Sequence, residues 1–126
     1  MKVSEPTMIG VSEATHAKLK RLKEDGHFKE MADAYRFGIG LALAQGCNPP
    51  EISSQTVFSV ATIDPDQSIR NAIQTILGDE TKEISIYKFA ERLADWGIQE
   101  LSAQSEKGEI DFVKIFDQLQ TAASTK

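Results

Sequence analysis

The residues of this chain best suited to chemistry are His16, His27, Cys47 and two pairs of closely spaced acids, Asp64 with Asp66 and Glu91 with Asp95. Two histidines and a single cysteine cannot complete a structural zinc site, which needs four ligands. Asp64 and Asp66 flank Pro65 and precede Gln67, an order that starts and caps a helix more simply than it holds a cation. Glu91 and Asp95, four residues apart in a helical stretch, are expected on a solvated face. His16 falls one turn before Leu19, where a half-buried, hydrogen-bonded histidine is the simpler reading than a catalytic base. Gly38-Ile39-Gly40 has no lysine and Ser/Thr in phosphate-binding order, so inside a helix it is a packing motif. No nucleophile, base and orienting group come together, and neither an enzyme, a cofactor nor a metal is expected.

The charge is unevenly spread. The net charge is -5, yet residues 1–46 hold seven bases (Lys2, Lys18, Lys20, Arg21, Lys23, Lys29, Arg36) against six acids. Residues 47–126 hold seven bases against thirteen acids, so a polyanion would have to meet the first third while the rest repelled it. The lone Cys47 rules out an internal disulfide and fits a reducing compartment, as a small half-buried hydrophobe. No signal peptide is visible, and the longest apolar stretch, Phe37 to Ala44, is well short of the roughly 18 residues of a membrane span. A cytoplasmic protein is expected.

Three stretches must position these groups: 1–46, an extended linker over 47–63, and a helical region over 64–126. After an arm over Met1 to Pro6, Thr7 to Val11 is extended but too short to stand alone, so it needs an edge to pair with. Ser12 and Glu13 start a basic helix with Leu19 and Leu22 inward, which Gly26 ends. A second helix, from about Lys29 to Gln45, is apolar nearly all round and must be buried nearly all round. Gly38 and Gly40 each cost about 1 kcal/mol there relative to alanine, which a close crossing of two helices in a symmetric dimer would offset.

Gly46 and Asn48-Pro49-Pro50 stop that helix. Thr56 to Thr62 reads as extended. A helix from Asp64 has Ile69, Ile73, Ile76 and Leu77 as its buried stripe, and Gly78 ends it. Ile84 to about Glu106 is the longest helix, with Phe89, Ala90, Leu93, Trp96, Gly97 and Leu101 inward. Asp111 caps a last short helix bearing Phe112, Ile115, Phe116 and Leu119. The fold class is mainly α, with about three helices in the C-terminal region.

The run Ile9-Gly10-Val11-Ser12-Glu13, then Leu19 and Leu22, Gly26, and Tyr35-Arg36-Phe37-Gly38-Ile39 resembles the ribbon-helix-helix family of DNA-binding proteins over residues 7–46. Arg36 to Gly46 is also similar to a small accessory protein of DNA phosphorothioation systems. The family likeness implies a homodimer whose strands pair into an antiparallel ribbon that enters the major groove. It places Ile9, Val11, Tyr35, Gly38, Ile39 and Ala42 at the two-fold interface, and Lys2, Met8, Gly10, His27 and Lys29 toward DNA. With Ile9 and Val11 inward, the outward face is Pro6, Met8 and Gly10, none with a side-chain hydrogen-bonding group to read a base edge. Phosphate contacts from Lys2, His27 and Lys29 would give salt-sensitive affinity and little sequence preference.

Two functions therefore compete. The first is a dimeric DNA-binding protein with weak direct base readout, a small transcriptional regulator or an accessory factor of a DNA-processing system. The second is a protein-interaction or assembly module on the same scaffold, binding no DNA and meeting a partner protein through the acidic C-terminal region.

Overall fold

The computed structural model describes residues 6–77 and 85–108. Their elements are β1 (Met8–Val11), α1 (Glu13–Glu24), α2 (Met31–Gln45), β2 (Gln55–Ser59), α3 (Val60–Ile63), α4 (Ser68–Leu77) and α5 (Ile86–Glu106). The fold is mainly helical with one small antiparallel sheet. Lys2, the helix expected from Asp111 and the Gly78 helix end lie outside the described residues.

Local sequence explains most boundaries. Ser12 caps α1 by accepting from the Thr15 amide, with Glu13 in the first turn where the helix dipole favours an acid. Gly46 closes α2 with a left-handed φ of 67° that a side chain rarely adopts. Ser85 caps α5 by accepting from the Lys88 amide.

α2 and α5 each start two residues later than expected, at Met31 and Ile86, and two other boundaries differ more. The stretch read as extended over Thr56 to Thr62 splits: β2 ends at Ser59, whose hydroxyl accepts from the Thr62 amide and starts the short α3. The helix expected from Pro65 begins at Ser68, because Gln67 takes a left-handed φ of 62°. Asp64 still serves the helix start, accepting from the Ile69 amide at 2.9 Å and the Arg70 amide at 3.0 Å, while Asp66 accepts from Ser68. The stripe on α4 is also narrower than expected: Ile73 is buried, but Ile76 is 43% exposed.

α5 is the central element, packing on α2, α1, β1 and α4. One core runs from Ile9, Val11, Leu19 and Leu22 through Tyr35, Ile39 and Leu41 to Phe89, Leu93, Ile98 and Leu101. The apolar α2 is thus covered by α5 of its own chain. Gly38 and Gly97 form the crossing: a Cβ on Gly97 would collide with the Gly38 backbone, and one on Gly38 would stand 3.2 Å from the Ile98 nitrogen. No described helix is long and apolar enough to cross a membrane.

Candidate functional site

The strand expected to reach DNA or a second copy is enclosed. β1 pairs antiparallel with β2 of the same chain, Met8 opposite Ser59 and Ile9 opposite Phe58, with a bulge before Gly10 opposite Thr56. Thr7 adds one more bond by accepting from the Val60 amide at 2.9 Å. Gly10 is required by this approach, since any Cβ there would collide with the Gln55 carbonyl.

The other side of β1 meets two carboxylates. The Gly10 amide donates to Glu91 Oε2 at 2.8 Å, and the Ser12 amide donates to Asp95 Oδ2 at 2.8 Å. Alternate amides of an extended chain point the same way, and acids one helical turn apart match that spacing. Asp95 also accepts from the Thr15 hydroxyl at 3.0 Å and the Gln99 side-chain Nε2 at 2.6 Å. Lys88 lies 3.4 Å from Glu91 Oε1, and the Tyr35 hydroxyl donates to the Gly10 carbonyl at 2.7 Å.

Glu91 and Asp95 are each 3% exposed, so the solvated face expected for them is corrected: they are interior groups whose acceptors face backbone donors. Burial, and then the charges of Glu91 and Asp95, push the Tyr35 phenol well above its ordinary range. A third interior acid, Asp64, accepts from the Tyr87 hydroxyl at 2.8 Å besides its two helix amides.

The residues expected at a two-fold interface, Ile9, Val11, Tyr35, Gly38, Ile39 and Ala42, are buried within the one chain. The residues expected toward DNA scatter. Met8 is exposed and so is Lys29, but Gly10 is buried and bonded on both sides. His27 is half-buried, with Nε2 2.8 Å from Ser105 Oγ on the last turn of α5. A serine and a histidine at that distance make half of a nucleophilic arrangement. Among the described residues no carboxylate hydrogen-bonds the ring to orient it, so the pair reads as a tie between the α1–α2 turn and α5.

Among the described residues no three or more of His, Cys, Asp or Glu gather as a metal site. Cys47 is half-buried, and burial, then Glu100, raises its thiol pKa, the opposite of an activated thiolate.

Of the residues at this site, the sequence placed Glu91 and Asp95 on the wrong face and did not single out Thr15, Gln99 or Tyr87. One signal was present. Ile98 falls on the same helical row as Glu91 and Asp95, which a solvated row would not need. Comparison with protein-family models, curated proteins and solved structures gave no match.

Proposed function

We propose that this chain is a non-catalytic interaction or assembly module that binds its partner from the outer surface of a self-contained fold. The observation that carries this reading is the enclosure of β1, with β2 on one side, Glu91 and Asp95 on the other, and Gly10 buried. A strand so enclosed offers little edge to a second copy's strand, and its exposed side chain, Met8, carries no hydrogen-bonding group for a base edge.

The second reading is an accessory or regulatory protein that touches the phosphates of DNA. It is favoured by the exposure of Lys20 and Lys23 on α1 and of Lys29 just before α2. It would act through charge alone and give little sequence preference.

Titration of fluorescent random duplex DNA against the full chain separates the two. The interaction module predicts no binding even at low salt, near 50 mM, where phosphate contacts are strongest. Binding that falls steeply with salt, and disappears in a Lys20→Glu/Lys23→Glu variant, would overturn it in favour of the second reading.

A further inference from the structure

The carboxylates beside β1 do what a third strand would do, but they do it with charge. A neighbouring strand offers neutral carbonyls, which no change of pH between 3 and 10 alters. Here the acceptors for the Gly10 and Ser12 amides are side chains that exchange protons, held at 2.8 Å and almost out of water. Hydrogen bonds to an ionised acceptor are about twice as strong as neutral ones.

We propose that Glu91 and Asp95 form a charge-dependent latch on β1, which holds the strand while both are ionised and loosens it first when either gains a proton. Among the described residues the groups facing the latch are few. Lys88 of α5 stands beside Glu91, and Gln99 of α5 donates to Asp95. α1 contributes its amino end and the Thr15 hydroxyl, and α2 contributes the neutral Tyr35 phenol. β1 brings only backbone amides, and α4 brings no side chain bonded to either acid.

Lys88 is more than half exposed and is the one cation paired with the two acids among the described residues. Protonation relieves their mutual repulsion but removes the charge that holds both amides. The core beneath α2 does not depend on these bonds, because Gly38, Ile39 and Ala42 pack on α5 through apolar and backbone contact. The strand should therefore open before the helices do.

The test is amide hydrogen exchange by NMR on the full chain from pH 7 to pH 3, corrected for intrinsic rates. As pH falls across this series, protection of the Gly10 and Ser12 amides should drop about tenfold or more while Ile39 and Ala42 keep theirs. A Glu91→Gln variant keeps an acceptor but not the charge. Its Gly10 amide should be less protected already at pH 7 and lose its pH dependence, while the Ser12 amide keeps its own. The wild-type series decides the question even where the variant folds poorly. Loss of protection at Gly10, Ser12, Ile39 and Ala42 together, or unchanged protection at Gly10 and Ser12 down to pH 3, would overturn the latch.

Discussion

Gly38 and Gly40 stand two residues apart on α2 and meet different surroundings. Gly38 lies on the inward face, where Ala94, Gly97 and Ile98 of α5 come so close that a Cβ would touch their backbone. Gly40 lies on the outward face, and a Cβ there would meet nothing within 4 Å. In the sequence the two cost the helix the same, about 1 kcal/mol each relative to alanine. In the fold only one of those costs is offset by packing. A glycine inside a helix therefore does not by itself report a second subunit: at Gly38 the partner helix is α5 of the same chain.

The sharpest way to break this contrast is from the other side of the crossing. A Cβ at Gly97 would strike the Gly38 carbonyl and Cα, backbone atoms that cannot step aside. Gly97→Ala should cost about 3 kcal/mol, at the upper end for overpacking, in chemical denaturation. A loss below about 1 kcal/mol would mean that the two helices do not cross there.

Removing the acceptor of the Gly10 amide comes next. Glu91→Ala leaves that buried amide unpaired and should cost about 2 kcal/mol. Wild-type stability in the variant would show that the acid is not the strand's acceptor.

Tyr35→Phe tests the same strand from α2 by removing the hydroxyl that donates to the Gly10 carbonyl. At neutral pH it should cost about 1 kcal/mol. The phenol's pKa is raised in the fold, so its neutral form stabilises the native state fully below the unfolded value near 10. That contribution is lost as pH rises from there toward the folded value. The deficit of the Phe variant should therefore shrink above pH 10 in a pH-resolved denaturation series. A constant deficit would contradict the burial of the phenol.

The smallest effect has the opposite sign. Gly40→Ala has room for its methyl group and should stabilise the protein by up to about 1 kcal/mol. A destabilised variant would show that the outward face is covered in solution.

Most of the helical framework was legible because its signals are local. Ser12 and Gly46 mark helix ends by what their side chains or backbones can do, and the structure uses them so. The partner of β1 was not legible. A four-residue strand announces that it needs an edge but not whose, and Ile9 and Val11 are equally apolar against a second copy or against β2. Glu91 and Asp95 were misread for a related reason: an acid looks solvated until backbone donors more than 80 residues away in sequence are brought to it. Ile76 failed in reverse, since an apolar residue on the right helical row is exposed where no described element covers it.

The central claim is that β1 is held by its own chain, and Met8 opposite Ser59 offers the most direct test. Met8→Cys with Ser59→Cys, in a Cys47→Ala background, should oxidise at high dilution to an internal disulfide. Non-reducing gels and intact mass should show one crosslinked chain. A disulfide-linked dimer, or two thiols that never close under oxidation, would contradict the account and return β1 to a partner outside the chain.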